Sequence, residues 1–475
     1  MGVNSILNVA TTGINMARVA IEVTGENIAN VNTDGYSRQT VMFKTGPTVT
    51  SNGFPLGTGV QLAQVRRNHD ELLQLQLVKG NSAGGESSVK ENALSQVEPF
   101  FNELTTEGLG QSLQDFFDSW KDLSTNASGT AERQVVLSRS ETLVDTFHRL
   151  SSNLNDSVTS ADSSLDGITR SITDFAKSIA SLNEQILQTE RLGGNANELR
   201  DQRDNAVFQL AEKVGVGYAE QSDGTLTVTL PGGEVLVEGN KYGTLTTQDD
   251  PVTGLNDIIF TSTTGVLSDV TATIGGTDNS QGEIGGALQV RDEIVPGYLA
   301  QLDEMAKQLV TAVNTRHAAG YGLDGSTGTA FFTGSSSSTI SINSSLTVEK
   351  IAAAAKDPTS PLSGPGDNGN ALELAELQST SLTFTVGATS TTTTLSSYYN
   401  ALVSKVGVDA SNAETTMLQN ESFMKQLNTL RESQSGVSLD EEMTNLIKFQ
   451  KAYSASARMI TTASEMLDTI LAMVR

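Results

Sequence analysis

The sequence predicts a mainly α protein with β inserts: paired N- and C-terminal coiled-coil-like helices, a helical-bundle body and an inserted β domain. Three observations lead there. Apolar residues recur at alternating steps of four and three at both ends of the chain. The same period returns in several interior stretches, and two other stretches interrupt it with strand-like alternation or with Ser and Thr.

At the N-terminus Val3, Leu7, Ala10, Ile14, Ala17, Ile21, Thr24, Ile28 and Val31 form an unbroken heptad seam. A helix of that length spans about 42 Å. Asn30, Asn32, Thr33, Asp34 and Gly35 stop it, and Gly35 is expected at positive φ, where a helix exit or tight turn needs glycine. At the C-terminus Leu439, Met443, Leu446, Gln450, Tyr453, Ala457, Ile460, Ser464, Leu467, Leu471 and Val474 repeat the device, with only Gln450 and Ser464 polar. Ser438 and Glu441 fit a capping box at its start, and Asp440, Glu441 and Glu442 suit the positive end of the helix dipole. A long amphipathic helix cannot bury its seam alone, so each end requires the other end or the ends of neighbouring copies.

Between the ends, Ile168–Ile172–Phe175–Ile179–Leu182–Ile186, Val295–Leu299–Leu302–Ala306–Leu309–Val313 and Val406–Ala410–Ala413–Met417–Asn420–Met424–Leu427 predict further helices of a bundle. Phe116, Phe117, Trp120 and Leu123 form an aromatic stripe at helical spacing, read as core. Leu226, Val228 and Leu230 alternate, Pro231, Gly232 and Gly233 turn the chain, and Val235 and Val237 alternate again, which predicts a β-hairpin. The expected domains are 1–40 with 437–475 as a terminal helical unit, and 41–215 with 287–330 and 398–436 as a helical body. To these are added a β domain at 216–286 and a Ser/Thr-rich β or loop segment at 331–397.

The formal net charge of −25 disfavours nucleic acid and anionic membrane surfaces, which need clustered Lys and Arg. Residues 1–40 and 437–475 each carry only −1, so −23 lies on the middle of the chain and like termini can crowd with little repulsion. The chain contains no cysteine, which excludes disulfides and thiolate chemistry. The first basic residue is Arg18, and Asn4, Asn8 and Asn15 interrupt the apolar run, so no cleaved signal peptide is expected and export would take a signal-free route. His69, His148 and His317 lack metal-ligand spacing, and His69 and His148 are expected as solvated imidazoles. Gly322, Gly325 and Gly328 read as a surface turn, and no phosphate-binding loop occurs. No catalytic residue, cofactor or metal is expected.

The stretch ENIANVNTDGYSRQ, with Asn27, Ile28, Ala29, Asn30, Thr33, Gly35, Tyr36 and Arg38, resembles the signature shared by bacterial flagellar rod, hook and hook-associated axial proteins. Its C-terminal counterpart, SGVSLDEEMTNLIKFQKAYSASARMI, is similar through Asn445, Leu446, Phe449, Gln450, Tyr453 and Ala455. The interior resembles the hook–filament junction members of that family. The resemblance implies terminal helices in the inner tubes of an axial structure, a helical body outside them and inserts facing solvent. It implies a structural, non-enzymatic subunit that assembles with like subunits, the hook protein and a second junction protein or flagellin. It further implies an extracellular flagellar location reached through the flagellar export apparatus, with a cytoplasmic export chaperone at the C-terminal helix. The expected assembly residues are Val3, Leu7, Ile14, Ile21, Ile28, Asn30, Gly35, Tyr36, Leu446, Phe449, Tyr453, Ile460, Leu467 and Leu471. Another axial subunit, hook-associated protein 3 or flagellin-like, is the alternative reading, and a secreted flagellum-associated hydrolase a distant one.

Overall fold

A computed structural model describes residues 3–51, 54–102, 108–276, 280–360 and 364–474. The side chain of Val474, the last expected seam position, lies outside the described set, as do Met1, Gly2 and Arg475.

Helix α1 (Val3–Ala29) leads into the turn expected at Gly35, which adopts φ +83°. A β-ribbon follows, where the helical body was expected to begin. Strand β1 (Gln39–Thr45) pairs antiparallel with β4 (Val60–Arg67), and β2 (Thr48–Ser51) pairs with β3 (Phe54–Gly57) at the tip. Val41 lies opposite Val65 and Phe43 opposite Leu62, so one face of the ribbon is apolar. The ribbon doubles back along α1: a Cβ on Gly59 would collide with the Thr12 hydroxyl. An isolated two-stranded ribbon is marginal in water, and α1 supplies its support.

The body begins at α2 (Glu71–Val97), capped by the Asp70 carboxylate, which accepts from the N–H groups of Leu72 and Leu73. After α3 (Leu109–Thr125) comes α4 (Thr130–Arg191), 62 residues and about 90 Å long. Helix α4 is the spine of two cores. Its first half presents Val136, Leu143, Phe147, Leu150 and Leu154 to Phe116, Phe117, Trp120 and Leu123 of α3, all buried as the aromatic stripe predicted. Its second half presents Ile172, Ile179, Leu182 and Ile186 to α5 (Asn197–Lys213) and to the β domain.

That domain holds a four-stranded sheet, β5 (Gly217–Glu220), β6 (Leu226–Thr229), β7 (Val235–Glu238) and β8 (Lys241–Tyr242). A three-stranded sheet follows, β9 (Thr244–Asp249), β10 (Asn256–Thr261) and β11 (Leu267–Asp269). The expected hairpin is β6–β7, with Val228 opposite Val237 and both side chains buried. The short α6 (Thr271–Ile274) and α7 (Gly282–Gln289) return the chain through a π-helical turn to α8 (Val295–Ala319), whose predicted seam faces the first core, with Leu299 partly buried against it.

The Ser/Thr-rich segment contains the β structure expected, mostly wetted on its outside, and its sparse apolar residues are turned into the body. Strands β12 (Phe332–Thr333) and β13 (Ser341–Ile342), α9 (Gly369–Glu376), and β14 (Leu382–Val386) with β15 (Thr389–Thr393) close the first core. Phe331, Phe332, Ile340, Ile351, Leu374 and Phe384 are buried in it. Their apolar side chains are sparse in sequence, which hid a segment that has one wetted and one buried side. Histidines also differ from expectation. His148 has a ring nitrogen 2.8 Å from the Ile340 carbonyl, and His69 is half-buried beside Asp204 at 3.7 Å. His317 is fully buried, its Nδ1–H donating to the Thr329 carbonyl at 2.7 Å while Nε2 accepts from Ala352 N–H at 3.0 Å. Gly325 and Gly328 take positive φ in a turn, as their spacing suggested.

Helix α10 (Leu395–Ser435) starts in the first core and runs on along α2, and after a three-residue break α11 (Leu439–Val474) packs on α1. This is the most extensive helix pair in the molecule. Its contact face is turned from the predicted one. Ala10, Ala17 and Thr24 point inward as expected, but Ile14, Ile21 and Ile28 are only half-buried, and Gly13, Ala20 and Asn27 take the inner places. On α11, Leu446, Ile460 and Leu467 are half-buried, whereas Met443, Gln450 and Ser464 are exposed and Glu442 and Ala463 are buried instead. Moving one of two seam lines by one residue turns each helix by about 50°. Small residues set this choice: a Cβ on Gly13 would lie 2.7 Å from Ser456 Oγ, so the backbones approach there as larger faces could not allow.

Candidate assembly site

The helix pair α1–α11 and the ribbon form one terminal unit, and its lower end is a polar knot around Asn27. Asn27 is 1% exposed. Its Nδ2 donates to the Gln39 carbonyl and to Glu442 Oε2, each at 2.9 Å. Its Oδ1 accepts from Tyr36 OH and from Gln39 N–H, again at 2.9 Å. Every hydrogen-bonding position of the amide is thus used. Glu442, 2% exposed, is held from the other side by Arg38, whose Nη2 lies 2.7 Å from Oε1, while Arg38 Nη1 takes Glu441 at 2.7 Å. Glu441 therefore serves Arg38 rather than the capping box expected with Ser438.

The same turn reaches the body. Ser37 N–H donates to Asp201 on α5 at 2.9 Å, and Arg67 Nη1 forks to Asp201 and Asp204 at 2.9 and 2.6 Å. Burial, and then the Arg67 charge, push the His69 imidazole down. Burial, and then the Glu26 carboxylate, push the Tyr36 phenol up, so Tyr36 stays a donor to Asn27.

Each predicted assembly residue has a definite place. Val3, Leu7, Ile14, Ile21 and Ile28 flank the α1 contact face, half-buried. Asn30 terminates α1, its Nδ2 donating to the Glu26 carbonyl at 3.1 Å and its Oδ1 accepting from Thr33 Oγ1. Gly35 and Tyr36 shape the knot. Leu446, Phe449, Ile460 and Leu467 face α1 half-buried, and Tyr453 and Leu471 are exposed at 41% and 65%. Glu442, Asp201, Arg67 and Gln39 were not foreseen as site residues, because their partners lie as far as 415 positions away in the chain. The available signal was polar Asn27 and Glu442 one step from the assumed seam.

Exposed apolar side chains crowd this unit. Met443, Ile447, Met459, Met466, Ile470 and Met473 are exposed on α11, and Met42, Phe43 and Val49 on the ribbon. Among the described residues no helix is long and apolar enough to cross a membrane, and no acid–histidine cluster could hold a metal ion.

Comparisons with known proteins agree with this architecture. Residues 7–36 match the family described as flagella basal body rod protein, and 431–473 match the flagellar basal body rod FlgEFG protein C-terminal family. The two matched ends define a flagellar axial protein. Residues 94–332, just over half of the chain, match the flagellar hook-associated protein FlgK helical domain. The chain belongs to the FlgK family of flagellar hook-associated proteins. Flagellar hook-associated protein 1 of Bacillus subtilis is 29% identical over 98% of this chain and 97% of its own length. The protein of that name from Escherichia coli is 26% identical over 98% and 99%. The flagellar hook junction protein FlgK from Burkholderia pseudomallei shares the fold, with a TM-score of 0.66 at 17% identity over 76% of this chain and all of that one.

Proposed function

We propose that this chain, a structural subunit of the flagellar hook–filament junction, assembles through its terminal unit, with the apolar outer face of α11 and the ribbon as the surface that neighbouring subunits cover. The observation that carries the reading is the division of labour on α11. One face, small and polar-knotted, is used against α1, while Met459, Met466 and Met473, at heptad spacing along the edge of that contact beside Val3 and Ile6, stay exposed. A helix whose heptad row stays wetted beside its one partner needs another partner.

Like subunits, the hook protein and the second junction protein or flagellin are the partners of this surface. The 14-residue set of predicted assembly positions divides accordingly: half-buried members hold the helix pair, and Tyr453 and Leu471 meet neighbours. The domains follow the same logic, except that the ribbon joins the terminal unit and the segment 331–397 joins the body. In the cytoplasm the exposed end of α11 is an aggregation hazard, and an export chaperone would cover it before the subunit leaves through the flagellar export apparatus. The family is a structural one, and we read the chain as having no catalytic role.

The test is complementation of a strain lacking the gene with Met466→Glu plus Leu471→Glu. Hooks without filaments, flagellin shed into the medium and loss of co-purification with a small helical cytoplasmic protein are expected, with the body's helicity intact. Normal filaments would remove α11's outer face from assembly, and unchanged co-purification would move the chaperone elsewhere.

A further inference from the structure

A strand at the edge of a sheet presents unpaired N–H and C=O groups, and folded proteins guard such edges with a charge, a proline or a covering element. The edges of the two larger sheets and of the long ribbon are guarded in that way. Glu220 stands on β5, Lys241 on β8, Asp249 on β9 and Asp269 on β11, while the ribbon carries Lys44 on β1 and Arg66 and Arg67 on β4. The β14–β15 hairpin is guarded on one side alone. Glu304 of α8 reaches the outer edge of β14, where its Oε1 accepts from Thr385 N–H at 3.1 Å. Strand β15 holds neither a charge nor a proline, and it lies in the longest uncharged stretch of the chain, between Glu376 and Lys405.

The register of the hairpin defines which groups this edge offers. Val386 and Thr389 pair across the two-residue turn at Gly387 and Ala388, so the pairs Val386–Thr389, Phe384–Thr391 and Leu382–Thr393 exchange backbone bonds. At the alternate pairs the backbone turns outward, as the Thr385 N–H on Glu304 demonstrates. On β15 the outward groups are therefore the N–H and C=O of Ser390 and Thr392, both exposed and without a backbone partner among the described residues. The platform is firm, because Phe384 is buried and stacks on Tyr398 with ring centroids 4.0 Å apart. Its outer face carries hydroxyl rungs, Thr383 to Thr392 at 3.1 Å and Thr385 to Ser390 at 3.0 Å.

We propose that this edge pairs with the same edge of a second copy, antiparallel about a two-fold axis at Thr391, joining two hairpins into one four-stranded sheet. In that register Ser390 lies opposite Thr392 of the other copy, and every outward N–H and C=O of both residues finds a partner. The hydroxyl rungs join as well: Thr385 and Ser390 of one copy fall in line with Thr392 and Thr383 of the other. A chain of net charge −25 meets its own copy with least repulsion where charges are absent. A two-fold contact closes on itself. At a junction with hook on one side and filament on the other it would turn one copy over, so the pair belongs to the subunit before assembly. One strand pair is a small contact, and it dissociates on the order of 0.1 mM, weak enough for assembly to undo.

Because the chain has no cysteine, single introduced cysteines report the register in the full-length protein. The Met466→Glu plus Leu471→Glu background silences association through α11. At about 0.2 mM under mild oxidation, Thr391→Cys meets itself across the axis and should form a disulfide dimer at least about ten-fold faster than Ser390→Cys, whose two copies are held more than about 7 Å apart. An equimolar mixture of Ser390→Cys and Thr392→Cys should give the mixed dimer. Adding Ser390→Pro to Thr391→Cys removes an N–H that the hairpin itself does not use, and should slow the cross-link about ten-fold while helicity is unchanged. Equal rates for Ser390→Cys and Thr391→Cys, absence of the mixed dimer, or an unchanged rate with Ser390→Pro would each overturn the proposal.

Discussion

Replacing Asn27 should loosen the terminal unit at its joint end while leaving the body untouched. Asn27→Ala removes four hydrogen bonds of 2.9 Å, one of them to the buried carboxylate of Glu442. At about 1 kcal/mol for each neutral bond and somewhat more for the charged one, the loss is about 4 kcal/mol. Asn27→Asp has nearly the same shape and keeps the acceptors for Tyr36 OH and Gln39 N–H, but it turns the donor on Glu442 into a second carboxylate in a site that is 2% exposed. It should cost at least as much as alanine. The assay is hydrogen exchange of amides 20–29 and 442–449, where about 4 kcal/mol corresponds to exchange two to three orders of magnitude faster. Lowering the pH until one carboxyl protonates should restore much of the protection in the Asp variant and none in the Ala variant. If Asn27→Asp exchanges like the wild type, the knot contributes little and the small-residue contact face alone holds the pair.

Gly35→Val should lower the stability of the terminal unit by about 2 kcal/mol and Gly35→Asn by less than half of that, since a Cβ there meets Asn205 at an ordinary 3.5 Å and the conflict is with φ +83°. Thermal unfolding of both variants checks it, and equal midpoints would locate the constraint in the surroundings instead of the backbone. His317 supplies a pH signature. Burial, the main cause, holds the folded imidazole down at about 4, below the ordinary value near 6.5, so the unfolded chain takes up the proton first as pH falls. Stability of the first core is whole above about pH 6.5 and declines by about 3 kcal/mol toward about pH 4. Urea unfolding across that range should lose this slope in His317→Gln; the same slope in the variant would assign the effect to other groups.

Periodicity along the chain was enough for the helices, because a seam of apolar residues at steps of four and three has one cheap way to leave water. The interior helices, the α3 aromatic stripe, the β6–β7 hairpin and the turn at Gly35 were therefore readable in order. The two flanking signatures and the helical interior were also enough for the family. What periodicity could not select was which face of α1 meets α11. Ile14, Ile21 and Ile28 make the more hydrophobic seam, yet the pair closes on Gly13, Ala20 and Asn27, since close backbone approach at Gly13 and Ser456 favours small side chains and leaves the large ones for other surfaces.

Three further features belong to the tertiary structure alone. The ribbon at 39–67 alternates too briefly to stand out, and it acquires its support only from α1. The Ser/Thr-rich segment 331–397 reads as surface because its buried residues are few, and the first core is what draws Phe331, Ile351 and Phe384 inward. The Asn27–Glu442–Arg38 knot joins residues more than 400 positions apart. Local pattern carries the energy of leaving water, which each segment feels by itself. Hydrogen-bond partners and the closest helix faces depend on which distant groups arrive together, and that is decided only when the two ends of the chain meet.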